Sequence, residues 1–259
     1  MSNLYFPAVS GMRAQQQRLD IIANNLANLS TPGYKAARAE FAALPPQEVR
    51  IARAGGTTLG QVELGSGVVL HGTTRRFTGG PLQITGNRLD VAILGADAFF
   101  QVTTPEGMTA YVRSGTFSLD ATGRLTLGDG SVLSPPVVVP AGGSITHIDE
   151  RGVIYGLLAN AEEPERLGQI MLARFPNPNG LLAAGSNRFV ATPAAGDPEV
   201  GLPATNGWPG VVSGVLEASD VDLTEQMVQL IGAQRAYSAN ARALETLDEM
   251  LGLVIRTRS

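Results

Sequence analysis

Two histidines, a single lysine and no cysteine make a thin stock for chemistry in a chain of 259 residues. His71 and His147 stand in separate strand-like segments, and neither has the spacing of a zinc ligand set or of an HExxH helix. Lys35 is the only amine side chain available to a phosphate loop or a Schiff base, and no GxxxxGK[ST] surrounds it. Ser114-Gly115 and Ser213-Gly214 lack the flanking glycine of a nucleophile elbow. The "GDGS" run at 128–131 lacks the alternating Asp/Asn series of a calcium loop and reads as a hairpin turn. Glu162-Glu163 lies in a polar loop beside Pro164. Asp90 and Asp97, together with the two histidines, are the groups that a hydrolytic or glycan-binding cleft in the middle of the chain would have to use. Arg75-Arg76 and the pair Arg13 and Arg18 are too sparse for a nucleic-acid stripe. No enzyme activity, cofactor or metal is expected.

Composition narrows the class further. The hydrophobic fraction of 44% and charged fraction of 16% describe a chain able to build a core. Thirty-one glycines and 16 prolines imply many turns. A net charge of -4 gives no electrostatic attraction to nucleic acid or an anionic membrane. The absence of cysteine excludes disulfides and thiolate sites. The opening "MSNLYFPAVSGMRAQQQRLD" has neither a basic start nor an apolar core before a small-residue cleavage site, so export, if it occurs, is expected without a cleaved signal. No stretch of about 18 apolar residues suggests membrane insertion.

The two chain ends carry helical periodicity. Tyr5, Val9, Met12, Gln16, Leu19, Ala23 and Leu26 step by four and three, the spacing of a coiled-coil seam. Pro32 and Gly33 end that helix. Leu223, Met227, Leu230, Gln234, Tyr237, Ala241, Leu244, Asp248, Leu251 and Ile255 repeat the pattern, with Asp222 as N-cap and Glu225 as its reach-back partner. Apolar residues off the seam (Ile22 and Leu29; Val228, Ile231, Leu247 and Val254) leave both helices needing partners beyond each other. Between the ends, runs such as "LDVAIL", "FFQVTT", "AYVRSGTFSLD" and "GRLTLGDGSVL" are short, β-branched and aromatic. Turn signals at 120–123, 128–130 and 149–152 punctuate them.

The fold expected is therefore α+β. Long N- and C-terminal helices pair as a coiled coil, and the central all-β domain is a sandwich or irregular barrel. Its expected parts are an N-terminal helix (1–29), an extended joint (30–64), a β-rich core (65–212) and a C-terminal helix (213–259). Residues 193–211 read as a linker.

Asn24, Asn25 and Asn28 are conspicuous on the last turns of the first helix, because asparagine competes for the helix's own hydrogen bonds. Asn24 and Asn28 share a face beside the seam. In a packed tube of helices they could bond neighbouring subunits; the plainer alternative is that they loosen the helix toward Pro32.

The stretch "GMRAQQQRLDIIANNLANLSTPGYKAARAEF" resembles the N-terminal signature of the bacterial flagellar axial proteins, the family of rod, hook and hook-junction subunits. "SGVLEASDVDLTEQMVQLIGAQRAYSANARALETLDEML" resembles the matching C-terminal signature. "LDVAILGADAFFQV" and "YVRSGTFSLDATGRLTLGDGSVL" look like the family's β-domain motifs. The resemblance implies a structural subunit, a homo-oligomer polymerised helically beside other rod and hook subunits and delivered by the flagellar type III export apparatus to the basal body. Length and the 42–64 stretch favour a distal rod subunit, with another rod or hook subunit as the alternative. The expected assembly seam comprises Val9, Met12, Gln16, Leu19, Asn24, Asn25, Leu26 and Asn28 with Leu223, Met227, Leu230, Gln234, Tyr237, Leu244 and Leu251. Val49, Ile51, Leu59 and Val62 are the expected rod-specific contacts. The rival from another class is an envelope glycan-binding or hydrolytic β-domain with oligomerising helices.

Overall fold

The computed structural model describes residues 5–52, 58–158 and 162–256, with the side chains of 48–62 and 254–255 left aside. It is α+β, with a helix at each end and β-structure between them. The chain divides into two compact units. One comprises the terminal helices with residues 37–74, the other residues 28–36 and 75–221. The division does not follow the expected boundaries near 64 and 212.

In the helical unit, α1 (Phe6–Ala27) packs along α2 (Leu223–Arg256). Asn25 bonds Gln226, and a side chain at Gly11 would meet Asn240 at 2.8 Å. The numbers of each pair add to the same total, 251, so the helices run antiparallel in one constant register. Asp222 caps α2 as expected, its Oδ1 accepting from the amides of Thr224 (2.7 Å) and Glu225 (3.1 Å). The reach-back does not form. The Glu225 carboxylate instead accepts from Gln229 (2.9 Å) and Arg38 (3.4 Å), partners on its own helix face and the neighbouring strand.

The same unit holds two pairs of strands. Ala37–Ala43 pairs with Val68–Arg75. Gln47–Ala52 pairs with Thr58–Leu64 in an antiparallel hairpin, where an extended or loop-like segment was expected. Its register sets Val49 opposite Val62, Ile51 opposite Gly60 and Ala52 opposite Thr58, and the shift between the last two pairs skips Leu59. The contacts expected of Val49, Ile51, Leu59 and Val62 concern side chains that lie outside the described residues.

The β-rich unit centres on Ala98–Thr103, "AFFQVT", a strand flanked by Thr109–Val112 on one edge and by Leu172–Arg174 and Val132–Leu133 on the other. Both of its faces are covered. Ala98, Phe100 and Val102 belong to the larger apolar cluster, with Val91, Leu125, Leu133, Ile154 and Leu172 among others. Phe99 points the opposite way, into a second cluster with Tyr111, Phe175 and Phe189. Strand alternation sorts adjacent phenylalanines into two cores. Phe99 meets Phe77, Phe175 and Phe189 edge-on at ring separations of 5.2 to 6.2 Å.

The turns read from the sequence are present, each built on an aspartate. The Asp120 Oδ1 accepts from the Thr122 and Arg124 amides, Asp129 from Ser131, and Asp149 from Val153. The Thr122 hydroxyl above all, with the Arg124 amide, the Arg124 side chain and the Thr122 amide, holds the Asp120 carboxyl far below its usual range. Residues 193–211 are not a linker. Ala195 and Val211 are fully buried, Trp208 packs on the larger cluster, and Glu199–Gly201 pairs with Leu172–Arg174. Its prolines and glycines shape tight turns over the core instead of releasing the chain.

Truncating Phe99 to Ala removes the ring on which three others lean. It should cost about 3–5 kcal/mol, read as a lower urea midpoint for the β-rich unit.

Candidate functional site

The face that each helix buries is narrower and smaller than the heptad pattern suggested. On α1 the buried residues are Ser10, Ala14, Ile22 and Asn25; on α2, Gln226 and Ala233. Ala14 and Ala233 are small, and Gly11 has no side chain to interpose at Asn240, so the helix axes approach closely. This line is rotated from the expected seam. Gln16 and Ala23 face solvent, while Val9, Met12, Leu19 and Leu26 are half-buried. On α2, Leu230, Leu244 and Leu251 are half-buried, but Leu223, Met227, Gln234 and Tyr237 are exposed. The buried line combines small residues with Ile22 and the polar pair Asn25 and Gln226, and it does not coincide with the row of large heptad residues.

The large residues therefore remain outside. Leu223, Met227, Val228, Ile231 and Tyr237 are between 39% and 65% exposed along one stretch of α2, and Met250 and Leu253 follow farther on. A helix that keeps five large apolar groups in water over four turns carries an unsatisfied face.

The asparagines part company. Asn25 is buried, and its side-chain amide reads the backbone of Ala37 from both sides. Its Nδ2 donates to the Ala37 carbonyl at 2.9 Å and its Oδ1 accepts from the Ala37 amide at 2.9 Å. The same Nδ2 reaches Gln226 Oε1 at 3.2 Å. One polar side chain thus ties α1, α2 and the first strand together. Asn28 shapes the next turn, accepting from Thr31 through both backbone (3.1 Å) and side chain (3.1 Å). Asn24 is exposed.

In the β-rich unit the most polar feature is wholly interior. Glu217 is buried with both carboxylate oxygens occupied. Oε1 accepts from Lys35 Nζ at 2.6 Å and from the Gly80 amide at 2.8 Å. Oε2 accepts from Arg113 Nε at 2.9 Å and lies 2.7 Å from its NH2 group. Arg113 also donates to the Ala98 and Gly95 carbonyls, and Lys35 to that of Thr78. Burial pulls the Lys35 and Arg113 pKa values below their usual ranges, and Glu217 pushes both back up. Asp220 stands beside the group, its own pKa raised by burial, with Oδ1 accepting from the Ala36 amide at 2.7 Å. Gly33, at φ +66°, brings the chain so near Ser114 that an added Cβ would lie 2.6 Å from its amide nitrogen.

This buried centre escaped the sequence reading, in which Lys35 figured only as a missing catalyst. The available signal was a charge among apolar strand residues, Arg113 in "AYVRSG", which must be paired if it points inward. Three of the four groups proposed for a hydrolytic cleft have a structural neighbour of their own. Asp90 accepts from Asn87, Asp97 pairs with Arg174, and His147 stacks on Tyr155 at 4.5 Å. His71 is exposed on Val68–Arg75.

Three family descriptions match in chain order. Residues 7–35 match the flagella basal body rod protein, 92–156 the flagellar hook protein FlgE/F/G D1 domain, and 212–257 the flagellar basal body rod FlgEFG protein C-terminal region. The chain is 40% identical to the flagellar basal-body rod protein FlgG of Borreliella burgdorferi, over 98% of this chain and 97% of that one. The chain belongs to the FlgG family. FlgG of Agrobacterium fabrum is 39% identical over 95% of this chain and 96% of its own, and FlgG of Bacillus subtilis 34% over 95% of each. The hook protein FlgE of B. burgdorferi is also similar, at 39% identity, over 43% of this chain and 25% of its own. The expected membership of the flagellar axial proteins, and the reading as a distal rod subunit, therefore hold. Each matched segment of this FlgG-family chain supplies one member of the buried centre: Lys35, Arg113 and Glu217.

Asn25→Ala strands the Ala37 amide and carbonyl in a closed contact. It should cost the helical unit about 1–3 kcal/mol, seen as an earlier loss of the helical circular dichroism signal on heating.

Proposed function

We propose that this chain is a non-enzymatic subunit that polymerises helically in the distal rod, with the terminal helices as its assembly element. The observation that carries this reading is the exposed apolar stretch of α2, Leu223 to Tyr237, left over after α1 has taken the inner line. Burying such groups against further copies releases about 25 cal/mol per Å² of apolar surface, and a helical lattice repeats the gain at every subunit. Val9, Met12, Leu19 and Leu26 of α1, with Leu230, Leu244 and Leu251 of α2, border that surface and would be drawn into a coiled-coil-like packing between copies. Gln16, Gln234, Asn24 and Asn28 would supply polar contacts that fix its register. The β-rich unit, a sandwich-like body covered on both faces of its central strand, would form the outer layer.

The family's relatives among rod and hook proteins support neighbours of the same axial class along the structure. Delivery to the basal body by the flagellar export apparatus, without a cleaved signal, belongs to the same reading. Among the described residues no helix is long and apolar enough to cross a membrane.

The hairpin Gln47–Ala52 and Thr58–Leu64 is the rod-specific element in this proposal. Two strands alone are marginally stable in water. A neighbouring subunit would cover the pair, with Val49, Ile51, Leu59 and Val62 as the proposed contacts, and so resist sliding between copies.

Two experiments test the reading. Ile231→Asp puts a charge on the exposed face, so the purified chain should melt within about 0.5 kcal/mol of the parent, yet rods should be absent by electron microscopy and cells non-motile. Normal motility would remove α2's outer face from the assembly. Deleting residues 47–64 should leave polymerisation intact and yield a more flexible, curved axial structure, and straight, stiff rods from that deletion would place rigidity elsewhere.

A further inference from the structure

The buried charge centre is asymmetric in a way that orders the docking of the two chain ends. The segment 214–221 rests directly on the β-rich unit. Val215–Glu217 pairs with Leu82–Ile84, the Gly214 amide donates to the Asp90 carbonyl, the Ala218 amide donates to the Pro81 carbonyl, and Glu217 takes Arg113. The segment 33–36 is held partly by the rest of the unit, where Arg75 donates to the Lys35 carbonyl and Lys35 to that of Thr78, and partly by 217–220. The Gly33 amide donates to the Glu217 carbonyl at 2.7 Å, the Asp220 amide to the Tyr34 carbonyl at 3.2 Å, and the Ala36 amide to Asp220 Oδ1. Lys35 completes the contact at Glu217 Oε1.

From this we infer a sequential clasp. The C-terminal segment 214–221 docks first and creates the seat, and the N-terminal segment 33–36 can then dock only upon it.

The electrostatics give the order. If 214–221 is in place and 33–36 is not, Glu217 keeps Arg113 and the Gly80 amide, so its carboxylate remains paired. If 33–36 were to dock alone, Lys35 would be buried with the Thr78 carbonyl and no carboxylate. A buried ammonium without its counter-charge is strongly disfavoured. Asp220 reinforces the sequence, because it both receives the Ala36 amide and adds a second negative charge beside Lys35. The N-terminal end is therefore conditional on the C-terminal end, and the reverse does not hold. This order is independent of the proposed assembly faces, since every group involved lies in the β-rich unit.

Because Lys35 is the only lysine, its acetylation by an amine-selective reagent reports local opening with only the α-amino group as background. The full-length chain is labelled in native buffer, and amide hydrogen exchange is followed separately in 28–36, 214–221 and the core strand 98–103. In the parent chain Lys35 should react slowly, at the rate set by opening of 28–36. Glu217→Gln should raise Lys35 acetylation and exchange in 28–36 by about tenfold or more. Asp220→Asn leaves the Arg113 pair untouched, and should loosen 28–36 in the same direction while 214–221 stays within about threefold of the parent. Lys35→Gln should loosen 28–36 and again leave 214–221 within that margin. Protection of 98–103 marks the β-rich unit as folded in each case. Should Glu217→Gln lose that protection, the two other variants decide. The sequential clasp is overturned if Lys35→Gln or Asp220→Asn opens 214–221 as far as 28–36, or if Lys35 stays unreactive in Asp220→Asn.

Discussion

A carboxylate held at both oxygens, with a lysine on one side and an arginine on the other, is the constraint around which the β-rich unit is arranged. Glu217 cannot be buried without Arg113, and Lys35 cannot be buried without Glu217. Arg113 in turn ties down the Ala98 and Gly95 carbonyls at the start of the central strand. The centre thus sits where the chain enters from the first helix, where it leaves for the second, and where the core begins. Such buried groups add little net stability against an apolar replacement, but they tolerate few alternative arrangements. Specificity of chain path is what they supply here. Arg75 extends the same logic outward, donating to the Lys35 carbonyl at 2.7 Å and lying over the Tyr34 and Phe189 rings.

The helical unit solves a different problem. Gly11 and Ala14 of one helix and Ala233 of the other are small, and the polar pair Asn25 and Gln226 fixes the register. Asn25 illustrates the economy of that arrangement, one amide satisfying two backbone groups and a glutamine. The large residues of α2 are thereby displaced to the outside, where they remain available for other copies.

How far the sequence revealed this differs from part to part. The helices, the β-rich middle and the aspartate turns were legible because each depends on residues close in the chain: 3.6-residue periodicity, alternation, and Asp with Gly in a turn. The inner line of the helix pair was not. Heptad reading favours large apolar residues, and Gly11 and Ala14 give little periodic signal, although close packing selects small groups. The hairpin at 47–64 was missed because Pro45-Pro46 and Gly55-Gly56 dominate the local impression, while its pairing depends on a register between strands. The buried centre was hidden for a deeper reason. Lys35, Arg113 and Glu217 are 78 or more residues apart, and nothing local to any of them names the other two. The functional family, by contrast, was readable from end to end, since its signatures are contiguous stretches.

The antiparallel register carries a mechanical implication. Phe6, where α1 begins, stands opposite about residue 245, yet α2 runs on to Arg256, roughly 16 Å farther at 1.5 Å per residue. The helix pair is stepped, like a timber cut for a lap joint, and its two ends differ. In the proposed assembly the long tongue of one copy would lie beside the short shoulder of the next, so that no single plane cuts only joints. Twisting load would then pass along continuous helix instead of across a seam, and the direction of the tongues would give the shaft a built-in polarity.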